Sequence, residues 1–272
     1  MKDSKHLKIQ VTSQPPKPDD ESRRDIDMAR LYDEAAESWV RDEPKVRDDL
    51  ITWPLIRALI RRYGEGKTIL DCGCGTGNVS RMVSPFAKSV IGIDISEHMI
   101  KQAEKHTPAS KKIVYLQKDM SKLAEYIPPA SIDVCLSIFG FCCLRNVDQL
   151  KATLQQIRQI LKKEGVAIIQ VPHPLDGFFK QPSSWLKEMD LPKSYFNSGE
   201  PVRRKLKTVN NDWLLVARRH FTMSNYVEAI VTANLRLVDL LEPAPSPEVL
   251  RVHCSLSREA TVPSSVIFIA TV

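Results

Sequence analysis

The sequence predicts an α/β fold built on a doubly wound, mostly parallel sheet, and three observations predict it. Apolar runs of strand length alternate with amphipathic helical runs from residue 67 to 171, a glycine-rich turn joins the first such strand to its helix, and an acid ends the second strand. Strand and helix in regular succession call for parallel pairing, because right-handed crossovers put helices on both faces. A length of 272 residues fits one such domain carrying an insertion.

The elements follow in order. Residues 1–25 are polar and proline-containing, lack the apolar stretch of a secretory signal, and read as a mobile leader. Residues 26–66 read as a helical cover: Ile26, Ala29, Leu31, Tyr32, Ala35, Ala36 and Trp39 have helical spacing, and Leu50 to Tyr63 forms a further helix stopped by Gly64 and Gly66. The core over 67–171 reads TILDC as a buried strand, Val79 to Val83 as a helix, SVIGIDI as a strand, and Glu97 to His106 as a helix capped by Ser96. KIVYL, SIDVCLSIF and VAIIQV are further strands. Before the last of these, Asn146 to Lys163 carries Leu150, Leu154, Ile157 and Leu161 on one helical face. The regularity stops at Pro172. Residues 172–222, with more prolines, several aromatics and a hairpin-like pair around Asn210, Asn211 and Asp212, read as a lid insertion before the last helix. Residues 223–272 close the core, with Ser224 as cap and Tyr226, Val227, Ile230 and Val231 inward. RLVDLLEP and SSVIFIATV complete a sheet of seven strands.

Composition excludes several classes. Hydrophobic content of 43% and charged content of 26% are ordinary for a soluble globular protein, and no apolar run is long enough to cross a bilayer. Six cysteines without zinc-ligand spacing, two of them inside the glycine motif, read as reduced thiols, which points to a cytoplasmic protein with no metal. The net charge of +6 is spread along the chain apart from Arg203, Arg204, Lys205 and Lys207, a run that reads as a solvated face, with phosphate contact as the alternative.

The most informative stretch is Asp71-Cys72-Gly73-Cys74-Gly75-Thr76-Gly77-Asn78, placed after a strand and before a helix. Glycines there let the backbone turn tightly and approach a ligand in the crevice beyond the carboxyl ends of the strands; a side chain at Gly75 would block that approach. A dinucleotide fingerprint G-x-G-x-x-G would need its third glycine at position 78, where Asn78 stands. The D-x-G-x-G-x-G form instead resembles the class I S-adenosylmethionine-dependent methyltransferases, and the resemblance covers roughly residues 30–272. It implies a Rossmann-like fold and S-adenosyl-L-methionine as cofactor. It also implies that Asp71, Gly73, Cys74, Gly75 and Gly77 form the first motif and that Asp94 in GIDIS, with Ile95 and Met99 after it, binds the ribose side, the alternative for Asp94 being a helix N-terminal acid that interacts with the dipole. Asp119 and Met120 would hold the adenine, and Ser137 and Ile138 would meet the methionine portion. Tyr32 in YDEAAESW resembles the family's cover over the methionine carboxylate, with core packing as the alternative.

On the acceptor side, Phe139, Phe141, Cys142, Phe178, Trp185 and Tyr195 are pocket candidates, since aromatic faces suit a positive sulfur. A hydroxyl or acidic carbon would need a base, and two histidines qualify. His173 leaves the carboxyl end of the fifth strand. His220 in RRHFTMSNY resembles the H-R-x-L-S-x-Y stretch of small-molecule methyltransferases, with Phe221 replacing the arginine. Cys142 and Cys143 lack the Pro-Cys or Thr-Cys setting of nucleophilic methyltransferases and read as buried thiols beside the pocket. The Asn-Pro-Pro-aromatic motif used on base amines is absent, and YVEAIVTANLRLVDLLEPAP resembles the small-molecule branch, with Asn234 replacing a bend glycine. The expected activity is methyl transfer to O, C or N of a small organic metabolite. The alternatives are a nucleic-acid methyltransferase using the basic segment and a non-catalytic cofactor-binding protein; a membrane partner is not expected.

Overall fold

The computed structural model describes residues 27–39, 48–109, 112–178, 186–207 and 213–272. The leader, Trp185 and the turn residues Asn210, Asn211 and Asp212 lie outside the described residues.

Helix α1 (Met28–Trp39) is followed by a π-helical turn (Asp48–Thr52) that runs into α2 (Trp53–Gly64). Pro54 sits in the first turn of α2, where no N–H is needed, and Arg61 and Arg62 occupy the last turn, where cations suit the helix dipole. The core then runs β1 (Thr68–Cys72), α3 (Asn78–Val83), β2 (Ser89–Asp94), α4 (Glu97–His106), β3 (Ile113–Gln117), β4 (Ile132–Ile138), α5 (Val147–Ile160) and β5 (Leu161–Pro172). Ser96 caps α4 and Asn146 caps α5, each by accepting the backbone N–H three residues on. Next come β6 (Leu186–Asp190), β7 (Pro201–Lys207), β8 (Trp213–Arg219), α6 (Met223–Thr232), β9 (Arg236–Leu241), a short α7 (Pro247–Val252) and β10 (Ser265–Thr271).

Seven strands form one sheet in the order β3-β2-β1-β4-β5-β10-β9, parallel from β3 to β5, with β10 antiparallel to both neighbours. Strand alternation divides the core in two. Leu70, Cys72, Cys135, Ile169 and Phe268 face α5 and α6, while Ile69, Val134, Leu136, Ile168 and Ile267 face α2 and α3. The order reverses between β1 and β4, so the carboxyl ends of these two strands open a crevice.

Several sequence expectations are corrected. Helix α5 ends at Ile160, and Leu161 to Gly165 already belong to β5, with Lys162 Nζ 2.8 Å from Asp133. Thr222, not Ser224, caps α6, in a reciprocal capping box with Asn225. Val231 is 61% exposed rather than inward. Asn234 does take the left-handed bend, at φ +55°. The insertion is more ordered than a hairpin: β6, β7 and β8 make a separate three-stranded antiparallel sheet. Between β9 and β10 the chain adds α7, which buries no residue. No helix among the described residues is long and apolar enough to cross a membrane.

Candidate active site

Strand β1 carries Asp71 to the crevice, and the chain then turns through Gly73, Gly75 and Gly77 at φ +73°, +53° and +78°, a left-handed region that glycine enters without a Cβ penalty. The three serve different ends. A Cβ on Gly77 would overlap Tyr115 Oη, and one on Gly73 would stand 3.0 Å from Gly140 Cα and 3.2 Å from Met120 Cε. A Cβ on Gly75 would meet no protein atom within 4 Å. The first two glycines are therefore demanded by packing. Gly75 instead turns bare backbone toward open space.

Asp94 ends β2 with its carboxylate against this turn, accepting Gly75 N–H at 2.9 Å on Oδ2 and Ser96 N–H at 3.0 Å on Oδ1. Asp71 accepts the Ser80 hydroxyl at 2.6 Å. Burial pushes both carboxyls up, Asp71 to about 7, where the charge of Asp94 adds to the effect. Neither acid is in an ion pair among the described residues. Two desolvated carboxylates beside an open stretch of backbone fit a ligand that carries positive charge and hydroxyls, as S-adenosylmethionine does. Burial also pushes the Cys74 thiol well up, so it is a neutral wall.

The rest of the rim comes from the loops after β2, β3 and β4. Ile95 is 50% exposed, whereas Met99 lies on the buried face of α4. Asp119 accepts Ser121 N–H at 2.8 Å on Oδ1 and so caps a 3-10 turn, and Met120 reaches across to Gly73 and Gly140. The Ser137 hydroxyl donates to the Cys72 carbonyl at 2.7 Å, tying β4 to β1, and Ile138 follows, buried. Phe139 has φ +61°, a conformation costing a non-glycine residue of order 1–3 kcal/mol, and its N–H donates to Gln170 at the end of β5. Gly140, which sequence reasoning passed over, is required because a Cβ there would lie 2.7 Å from Ser137 Oγ and 2.8 Å from the Cys72 carbonyl.

Helix α1 covers the crevice. Asp33, also missed, accepts from Ser96 Oγ and from His98 N–H, binding α1 to the start of α4. Tyr32 donates its hydroxyl to the Ala217 carbonyl of β8 at 3.1 Å, and burial raises its pKa well above the usual value. The side chain thus joins cover to lid, and a methionine carboxylate would have to displace Ala217 to receive that proton.

The lid brings together three residues proposed from sequence. The rings of Phe178, Tyr195 and His220 stand 5.7 to 6.2 Å apart, edge-on or tilted. His220 Nε2 is 2.7 Å from the Tyr195 carbonyl, which can only accept, so Nε2 carries the proton and Nδ1 the lone pair. Burial lowers the pKa of His220, and the charge of Arg218 contributes.

Three expectations fail here. His173 Nδ1 accepts Leu175 N–H at 3.2 Å, so its proton is on Nε2, 2.9 Å from Glu242. Both nitrogens are occupied, so His173 pins the exit of β5 to that of β9 and has no lone pair to offer as a base. Phe141 has no exposed surface and packs in the core facing α5 and α6 instead of lining a pocket. The basic run is not a solvated face: Arg203 pairs with Asp190, and Arg204 turns inward to Asp176 at 2.8 Å. Cys142 is buried, its thiol 3.1 Å from the Phe139 carbonyl.

A glycine turn with two strand-end acids at the switch point of a doubly wound sheet fits the class of enzymes that take a nucleoside-bearing, positively charged cofactor. Comparison with known proteins agrees. Residues 70–169 match a model described as a methyltransferase domain. An uncharacterized protein of Haemophilus influenzae is 32% identical over 211 residues, 75% of this chain and 80% of that one. The trans-aconitate 2-methyltransferase of Afipia carboxidovorans is 31% identical over 115 residues, 41% of each protein. The crystal structure of an S-adenosylmethionine-dependent methyltransferase from Mesorhizobium loti shares the fold at TM-score 0.62 and 22% identity, over 84% of this chain and 98% of that one. The chain belongs to the class I S-adenosylmethionine-dependent methyltransferases, and S-adenosylmethionine is its cofactor.

Proposed function

We propose that the protein methylates an oxygen or acidic carbon of a small organic molecule held between the carboxyl edge of the sheet and the Phe178–Tyr195–His220 cluster, with His220 as general base. The observation that carries this reading is the orientation of His220. Its Nε2–H is fixed on the Tyr195 carbonyl, so Nδ1 is the basic atom, and its lowered pKa keeps the ring neutral near pH 7. The Afipia relative, by its name, acts on a small molecule, which favours that class of acceptor.

In this reading Gly75 and its neighbours Gly73 and Gly77 give the cofactor its backbone bed, Asp94 accepts the ribose hydroxyls, and Asp119 and Met120 flank the adenine. The main chain at Ser137 and Ile138 meets the methionine portion. The bound cofactor supplies an electrophilic methyl group on a sulfonium sulfur. Phe139 and the lid rings would exclude water, and Nδ1 of His220 would take the acceptor's proton as the acceptor–methyl bond forms and the sulfur–methyl bond breaks, S-adenosylhomocysteine being the leaving group.

His220→Asn is expected to lower kcat by roughly 100-fold while leaving S-adenosylhomocysteine affinity unchanged. His173→Asn should weaken thermal stability and spare kcat. Full turnover in the His220 variant would remove base catalysis by this residue.

A further inference from the structure

Four loops and strands that are remote in sequence bring three arginines onto one carboxylate. Asp176 Oδ2 is 2.8 Å from Arg204 Nη1 and 3.5 Å from Arg218 Nη2, and Oδ1 is 2.6 Å from Arg258 Nη2. Their side chains are between 8% and 21% exposed, so three positive charges share one negative charge out of bulk water. Glu259, buried and next to Arg258 in sequence, forms no ion pair among the described residues. Arg218 meets Asp176 only at 3.5 Å, and its Nε is buried without a hydrogen-bond partner among the described residues. A desolvated guanidinium with one long ion pair, such as that of Arg218, is costly, and a bound anion would offset that cost.

The cluster adjoins the acceptor side. Asp176 and Phe178 belong to the same 3-10 turn, and that turn sets Asp176 against Arg218 while it sets Phe178 against His220. Arg218 and His220 are two residues apart on one extended segment, which gives their side chains the same face. The pKa of Cys142, just past the end of β4, is lowered by its hydrogen bond with Cys143 and, beyond that, by the charge of Arg218. Strand β8, which carries Arg218 and leads into His220, packs against the 3-10 turn Phe141–Cys143 just past the end of β4.

Building on the methyltransferase reading above, we propose that the acceptor is a small anion whose carboxylate or phosphate group is anchored by Arg218 beside Arg204, with the reacting hydroxyl or C–H acid directed to His220. A guanidinium presents paired N–H donors that match either oxyanion, and a buried one discriminates strongly against a neutral isostere. The anion is the anchor and not the nucleophile, which is why the site also holds a neutral base.

The test uses the full chain saturated with S-adenosylhomocysteine and a panel of hydroxylated mono- and dicarboxylates, their carboxamides, and phosphate monoesters, read by thermal shift and then by labelled methyl transfer from S-adenosylmethionine. Carboxylates or phosphate monoesters should stabilise the complex, the responding series identifying the anchor, and their amides should not. Arg218→Gln should weaken the responding series by at least ~30-fold with S-adenosylhomocysteine affinity retained, and Arg218→Lys should restore part of the loss. Equal response to acids and amides, no response to any anion while S-adenosylhomocysteine still binds, or a methyl ester as product would overturn the anchoring role and leave the cofactor reading intact. Failure of S-adenosylhomocysteine to bind would overturn both.

Discussion

The two banks of the crevice are built by opposite means. The bank proposed for the cofactor is mostly backbone: three left-handed glycines, two strand-end acids and two loops, assembled within residues 71–140. The lid bank is mostly side chains. Its Asp176, Arg204, Arg218, His220 and Arg258 converge from the loop after β5, two strands of a separate sheet, the approach to α6 and the segment before β10. A site that receives one invariant ligand can be made of main chain, which has no side chain to vary. A site that selects its ligand needs functional groups, and these are delivered by insertions that the core tolerates.

The largest expected effect tests whether the lid bank is held by charge. Asp176→Ala leaves three buried arginines without their shared counter-ion and should cost about 3–5 kcal/mol of stability, or roughly 10 °C in Tm, with S-adenosylhomocysteine affinity little changed. The pKa of Asp176 is depressed despite its burial, chiefly by the charges of Arg204 and Arg218. Its stabilisation is therefore in full effect above the ordinary aspartate range and is lost as pH falls through the depressed value. The variant should accordingly show a weaker loss of Tm under acid than the parent.

Next in size is a contrast within the cofactor bank. Gly77→Ala drives a methyl into Tyr115 at a left-handed position and should cost about 2–3 kcal/mol. Gly75→Ala meets no atom, so it should cost only the conformational strain of about 1–2 kcal/mol, yet reduce S-adenosylhomocysteine affinity by at least ~30-fold. Chemical denaturation and calorimetry on both variants separate the two roles; equal losses of affinity at equal stability would erase the distinction.

The smallest effect is electrostatic. Asp71 titrates at about 7 without ligand, and a cation nearby favours its ionised form. Binding of S-adenosylmethionine should therefore release protons, and its affinity should rise by up to about tenfold between pH 6 and pH 8. In the unliganded protein the sign is reversed for folding, because a raised carboxyl pKa makes stability fall as pH climbs from the ordinary aspartate value toward 7. Asp71→Asn should flatten both trends, and a pH-independent affinity in the parent would show that this acid does not feel the ligand.

The same division explains how much was legible in the sequence. The succession of strands and helices along the chain, the glycine turn, Asp94 and the Ser96 cap are all short-range features, each set by a few adjacent residues. The end of α5 was misplaced because Leu161 continues the helix's apolar period and also fits the buried side of β5. The cap of α6 depends on how the chain leaves β8, which periodicity does not report. The fate of His173 rests on Glu242, 69 positions away, and the arginine cluster on an Asp176–Arg258 pair 82 positions apart. A basic run in a strand looks solvated until alternation sends Arg204 inward while Arg203 stays half-exposed.

The most direct test of the cofactor bank is a calorimetric titration of S-adenosylhomocysteine into the parent protein and Asp94→Ala. We expect one site per chain, with affinity weaker by ~30-fold or more in the variant and the thermal unfolding of the unliganded proteins nearly matched. Identical affinities in two equally folded proteins would contradict the placement of the ribose on Asp94.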